Sequence, residues 1–281
     1  VHAIIPETAY GVAKRVDFAV EALDRLRPAT VLDVGCGTGT LLTAPLAERF
    51  PGTRFHGVDP DPATIAFAQD HHRLENLTFG APDVLDPDAR FDVIIASEVL
   101  EHVEDPLAFL ALLRRRLNPG GRVLITVPNG YGPFEWTAAL EALLEVSGAY
   151  PVLRAAKRRL LGRGASSTPA PREANTLAVS PHINFFSYRS LLRALGEAGL
   201  AVERYRGRTF LCGFVWGAYV VTTPRAIAWN AAVADRLPAQ AISDWMFVAL
   251  PDGPAGRSAG YRRGAFSRVR RRLYERRWGV G

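Results

Sequence analysis

Residues Thr30–Leu42, TVLDVGCGTGTLL, decide the fold. An apolar run, Val31-Leu32-Asp33-Val34, stops at Gly35-Cys36-Gly37-Thr38-Gly39, and an amphipathic stretch follows from Leu41 to Phe50. That order predicts a buried strand, a tight turn and a helix. Glycine at positions 35, 37 and 39 lets the turn take positive φ and lie bare against a ligand. The turn also delivers that ligand to the positive N-terminal end of the following helix. A doubly wound α/β sheet builds its first nucleotide-binding corner in this way. The pattern is G-x-G-x-G; a dinucleotide fingerprint has its third glycine at position 40, where this chain has Thr40, which argues against NAD.

Working outward, Glu7–Leu26 has helical apolar spacing and ends at Arg27-Pro28, with Tyr10, Lys14 and Arg15 read as surface residues. Thr53–Val58 is a second strand ending in Asp59, 20 residues past Gly39, where a carboxylate can accept both ribose hydroxyls. Asp61 reads as the N-cap of a helix running to about Arg73. Asn76–Phe79 is a third strand, followed by Gly80-Ala81-Pro82-Asp83-Val84. Phe91–Ala96 is continuously apolar, as for a strand buried on both faces, and leads into Ser97-Glu98-Val99-Leu100-Glu101-His102-Val103. Asp105-Pro106 starts a helix through Leu117, Asn118-Pro119-Gly120-Gly121 ends it, and Arg122–Val127 is the fifth strand.

From Val31 to Asn129 these features together resemble the class I S-adenosylmethionine-dependent methyltransferases. The glycine turn is similar to that family's motif I. Ser97–Val103 is similar to its motif IV, especially as found in the ubiquinone-pathway O-methyltransferases. The resemblance implies an α/β fold: a doubly wound, mostly parallel seven-stranded sheet with an antiparallel final strand. It implies S-adenosylmethionine as cofactor and S-adenosylhomocysteine as product. On this likeness Asp33, Gly35, Gly37 and Gly39 hold the methionine end, and Asp59 with Pro60 lies at the ribose. Asp83 with Val84 lies at the adenine, Asp86 and Asp88 being rivals, and Ser97 borders cofactor and acceptor.

The remainder follows the same frame. Ser187 is a plausible N-cap for a helix to Gly199, Ala201–Arg208 is a sixth strand, and Asp244–Leu250 is the final one. A domain over residues 1–254 is expected, with helical lid insertions at about 130–181 and 209–240. In the first insertion Glu135–Val146 and Val152–Leu161 read as helices and Gly162–Arg172 as a loop. The second is unusually apolar, with Phe210, Phe214, Trp216, Tyr219 and Trp229, which suits core packing or a hydrophobic acceptor pocket.

Charge is unevenly spread. Overall it is +6, yet residues 255–281 hold nine arginines and one acid, Glu275, leaving the first 254 residues at −2. Apolar spacing across Tyr261–Trp278 allows a basic amphipathic helix. Such a tail can meet an anionic membrane, RNA or an acidic partner, or stay disordered. A mildly acidic body disfavours nucleic acid. Apolar content of 48% and charged content of 22% are those of a globular protein, and no run reaches a membrane span of ~20 apolar residues. VHAIIPETAY lacks the basic and apolar regions of a signal peptide. Cys36 and Cys212 offer neither a disulfide framework nor a metal spacing. A cytoplasmic setting, with peripheral membrane contact through the tail, is the expectation.

The expected chemistry is methyl transfer to a small-molecule hydroxyl, with a lipid-like acceptor or a non-catalytic cofactor-binding module as alternatives. A hydroxyl acceptor needs a base, and histidine is best poised near neutral pH. His102, beside Glu101, and His182, after the first insertion, are the candidates, with Glu135 and Tyr131 in reserve. No Asn/Asp-Pro-Pro-aromatic stretch or Pro-Cys nucleophile follows the fourth strand, which sets aside methylation of base amines and of pyrimidine C5. Glu98 and Asp92 do not make a convincing metal set, so no metal is expected.

Overall fold

The computed structural model describes residues 8, 10–148, 182–213, 216, 220–253, 261 and 263–278. The elements run α1 (Val12–Leu26), β1 (Thr30–Val34), α2 (Thr43–Arg49), β2 (Arg54–Val58), α3 (Pro62–His71), β3 (Leu77–Gly80) and β4 (Phe91–Ser97). There follow α4 (Pro106–Arg115), β5 (Leu117–Pro128), α5 (Pro133–Val146), α6 (Tyr188–Glu197), β6 (Leu200–Gly207), α7 (Pro224–Ala234), β7 (Asp244–Pro251) and α8 (Ala265–Trp278). The expected helix Val152–Leu161, the loop Gly162–Arg172, Phe214 and Tyr219 lie outside the described residues.

The seven strands form one sheet in the order β3-β2-β1-β4-β5-β7-β6. β1 to β5 pair in parallel, and β7 is antiparallel to both of its neighbours. Alternation along the strands supplies a core on each face. Leu32, Ile94, Ala96, Val123 and Ile125 pack toward α4 and α6. Val31, Val93, Ile95, Leu124 and Met246 pack toward α1 and α2. Because both faces are covered, β4 has no polar alternation, as its sequence required.

Local chemistry sets most boundaries. Asp105 Oδ1 accepts hydrogen bonds from the Leu107 and Ala108 amides at 3.0 and 3.1 Å, with Pro106 at the first helical position. Asp61 caps α3 and Ser187 caps α6 through a capping box.

Two readings need correction. Helix α1 starts at Val12 because Gly11 takes a left-handed conformation, and Lys14 and Arg15 are buried rather than on the surface. Lys14 Nζ pairs with Asp235 Oδ1 at 2.9 Å, tying α1 to the end of α7. Asn118–Gly121 does not lie outside the fifth strand; it is a bulge within β5, looped out between the Phe91–Leu117 and Val93–Arg122 pairings.

Helix α8 packs on α5 through a buried ion pair: Arg270 Nη2 lies 2.5 Å from Glu135 Oε2, and Tyr274 donates to the same oxygen at 3.3 Å. The Arg270 guanidinium also lies over the Phe185 ring at 4.0 Å and donates to the Gly130 carbonyl. Removing one partner of such a pair leaves a buried charge uncompensated, typically costing about 3–5 kcal/mol. Arg270→Met should lower unfolding free energy by about that much in urea titration. It should also speed tryptic cleavage within residues 265–276, where a surface arginine would change neither.

Candidate functional site

Strand order reverses between β1 and β4, so the loops leaving their C-terminal ends diverge and open a crevice. On the β1 side, Gly35, Gly37 and Gly39 have φ of 71°, 59° and 72°. A Cβ at Gly35 would lie 2.5 Å from Val99 Cγ2, and one at Gly39 would lie 2.5 Å from Phe79 Cζ, so side chains are excluded as well as strained. Cys36 is buried in this turn, where burial pushes its thiol up, consistent with packing rather than reactivity.

Asp33 is buried at the end of β1. Its Oδ2 accepts from Thr43 Oγ1 at 2.6 Å, while its Oδ1 has no hydrogen-bond partner. Burial raises its pKa to about 7. An unmatched acceptor beside bare backbone is a site waiting for a ligand donor. Asp59, one residue past β2, accepts from the Gly37 amide at 3.1 Å and from the Asp61 amide at 3.0 Å. It braces the turn, and each oxygen retains a lone pair for a ribose hydroxyl. Pro60 is exposed beside it, and Asp83 and Val84 stand exposed in a single 3₁₀ turn, Pro82–Val84. Asp86 and Asp88 are exposed too, with Asp86 Oδ1 taken by the Asp88 amide.

On the β4 side, Ser97 is buried, 2.9 Å from Thr126 Oγ1, and receives Arg15 Nη1 at 3.3 Å. Glu98 has φ +58°, uncommon for a residue with a side chain. This conformation turns its carboxylate inward to Thr126 Oγ1 at 2.7 Å and Arg208 Nη2 at 3.0 Å. Arg208, which leaves β6 at the same edge, also pairs with Asp244 of β7 at 2.8 Å. Burial alone would raise the Glu98 pKa, but Arg208 and Arg15 outweigh it and hold the carboxylate charged. Asp92 lies at the opposite end of β4, accepting from the Ala29 and Thr30 amides, and takes no part in the crevice.

The loop after β4 is stitched to the distant segment before α6. The Glu101 carbonyl accepts the Ile183 and Asn184 amides at 2.8 and 2.9 Å, and Asn184 Nδ2 donates to the Leu100 and Val103 carbonyls. These bonds bring His102 and His182 edge to face, with ring centroids 4.9 Å apart. Each imidazole stays about a quarter exposed, while Glu101 beneath them is buried.

Glu101 does not orient His102 by a direct hydrogen bond: Oε1 is 3.8 Å from His102 Nε2, and both carboxylate oxygens lack hydrogen-bond partners. The oriented histidine is His182, whose Nδ1 lies 2.5 Å from Glu135 Oε1. Burial alone would lower the His182 pKa, but the Glu135 carboxylate outweighs it and lifts it to about 9. Burial, reinforced by the Glu98 charge, raises Glu101 to about 8. Ligand-type atoms of Glu101, His102 and His182 lie within 4.8 Å of one another, a set that could share protons or hold a cation. Tyr131 is 40% exposed and stacks on Phe266.

The profile of the family described as "Methyltransferase domain" matches residues 7–205. The chain therefore belongs to that family, and its fold and glycine corner are those of a class I S-adenosylmethionine-dependent methyltransferase. It is 38% identical over 113 residues to a ubiquinone biosynthesis O-methyltransferase of Azorhizobium caulinodans, covering 38% of this chain and 44% of that protein. It is 37% identical over 113 residues to a trans-aconitate 2-methyltransferase of Deinococcus radiodurans, covering 40% of this chain and 43% of that one. The matches thus span less than half the length of these relatives. Among solved structures, PKMT2 from Rickettsia typhi in complex with AdoHcy has TM-score 0.51 at 19% identity, covering 83% of this chain and 51% of that one. A S-adenosylmethionine-dependent methyltransferase from Clostridium acetobutylicum has TM-score 0.50 at 13% identity, covering 85% and 92%. These two likenesses bear on the fold alone. The unmatched Asp33 oxygen and the glycine cradle fit the cofactor that the family uses.

Two outcomes follow. Asp59→Ala should weaken S-adenosylhomocysteine binding about tenfold or more in calorimetry, for loss of a charge-assisted bond of about 1.5–3 kcal/mol. His182 is raised above its ordinary value, so its stabilisation is full below about pH 6.5 and is lost as pH climbs through about 9. The melting-temperature gap between the natural protein and His182→Gln should therefore shrink from pH 6.5 to pH 10; a gap that widens would contradict the assignment.

Proposed function

We propose that the protein is an O-methyltransferase acting on the hydroxyl of a small molecule, with His102 as the base. The observation carrying this reading is the pair of partly open imidazoles, His102 and His182, with His102 on the loop whose Val99 lies against Gly35 of the glycine turn. When bound, S-adenosylmethionine supplies an electrophilic methyl group on a sulfonium.

The residues divide the remaining work. His182, kept protonated by Glu135, is a poor base at neutral pH and a good hydrogen-bond donor to an oxygen gaining negative charge. His102 is left to take the hydroxyl proton. Glu101, largely neutral at pH 7 because burial raises it to about 8, lies 3.8 Å from its Nε2 and does not compete for that proton as an anion. Glu135, held by Arg270 and Tyr274, keeps the His182 ring in place. Holding the acceptor in line with the methyl group can supply much of the rate enhancement. The names of the ubiquinone-pathway relatives favour oxygen as the target.

The test is transfer of labelled methyl from the donor to a panel of phenols and aliphatic hydroxy compounds, with the product's linkage read by mass spectrometry and NMR. His102→Ala should lower kcat by about 10²–10⁴ while leaving cofactor affinity within twofold. Methyl found on nitrogen or carbon, or full activity in His102→Ala, would overturn the proposal.

A further inference from the structure

Where α5 and α8 lie side by side, both turn apolar side chains outward. On α5, Trp136, Leu140 and Leu143 recur at helical spacing and are 58%, 56% and 55% exposed. On α8, Val269 is 64% exposed and Phe266 45%. Phe266 joins the two rows, its ring centroid lying 6.0 Å from those of both Tyr131 and Trp136. Exposed apolar residues scattered singly need no explanation, but a continuous band across two helices marks an interaction surface.

The arginines of this region fall into three sets. Arg270 points inward to Glu135. Arg263 and Arg271 are engaged with Glu104, Arg271 through two bonds of 2.9 and 2.7 Å. Arg268, Arg272 and Arg276 recur every four residues along an exposed edge of α8 and form no ion pair among the described residues. Helical spacing places that arginine row directly alongside Val269. The surface is thus an apolar band bordered by cations that no described acidic residue pairs with.

We propose that the α5–α8 face docks on an anionic lipid surface. Trp136, Leu140, Leu143, Phe266 and Val269 would enter the headgroup boundary, and Arg268, Arg272 and Arg276 would meet lipid phosphates. An amphipathic surface of this composition gains from apolar burial and from the negative surface potential together. RNA would use the arginines but leave the aliphatic band wet. A second copy would cover the band but bring its own arginine row to the same border. A bilayer rich in anionic lipid satisfies both halves. No described helix is long and apolar enough to cross a membrane, so the contact is at the surface.

The experiment is flotation of the full chain with vesicles of phosphatidylcholine alone or mixed with phosphatidylglycerol, at low and high salt. The natural protein should float with the anionic vesicles only, and less so as salt rises. Leu140→Asp with Val269→Asp, and separately Arg272→Glu with Arg276→Glu, should each lower the bound fraction about tenfold or more. Both pairs alter exposed positions, so melting temperature and cofactor binding should stay unchanged, which separates lost docking from lost folding. Absence of flotation with anionic vesicles would overturn the proposal, as would flotation indifferent to both pairs. A dimer in light scattering that Leu140→Asp with Val269→Asp dissociates would assign the face to self-association instead. RNA binding by a protein that ignores vesicles would assign the arginine row to nucleic acid.

Discussion

The reversal of strand order between β1 and β4 is the constraint on which the rest depends. Parallel strands on either side of that point all end at one edge of the sheet. The residue after each strand is therefore the one free to act: Gly35 after β1, Asp59 after β2, Glu98 after β4, Asn129 after β5 and Arg208 after β6. Because β7 runs antiparallel, it starts at this same edge and contributes Asp244. The polar edge is costly to bury, and there Arg208 matches the charges of Glu98 and Asp244 while the Gly37 amide donates to Asp59.

A second layer holds the histidine pair. His102 and His182 are 80 residues apart in sequence, and backbone bonds to the Glu101 carbonyl bring them together. Arg263 Nε then donates to Asn184 Oδ1 at 2.8 Å, and Arg270 anchors Glu135. The C-terminal basic helix thereby secures the histidine that the first insertion delivers. Gly130 marks how closely these pieces approach, since a Cβ there would lie 2.5 Å from the Phe185 backbone. Packing this tight couples the inner face of α8 to the site while leaving its outer face open.

The Rossmann-like half was legible because local signals carry it. Apolar runs, glycine at alternate positions, and Asp61, Asp105 and Ser187 as caps act within a few residues of the feature they specify. Seven strands and an antiparallel β7 match what the resemblance implied. The helix start at Val12 and the bulge at Asn118–Gly121 were misread because glycine permits left-handed backbone without requiring it, so Gly11 and Gly120 do not by themselves announce it. Arg15 and Lys14 read as surface residues because their partners, Ser97 and Asp235, are 82 and 221 positions away. Long-range pairing leaves no local pattern. The same holds for Arg208 with Glu98 and for Glu135 with His182. Only the unusual left-handed Glu98, placed after an apolar strand, sits inside a motif that could have drawn notice, and its conformation is invisible in sequence.

The most direct test of the account is calorimetric binding of S-adenosylhomocysteine to purified protein shown to be folded and free of carried-over ligand. Saturable binding at a single site is expected, with Asp33 and the glycine turn at its centre. No measurable heat across a range of temperatures would contradict that claim, because the buried, unmatched Asp33 oxygen would then have to serve something other than the cofactor.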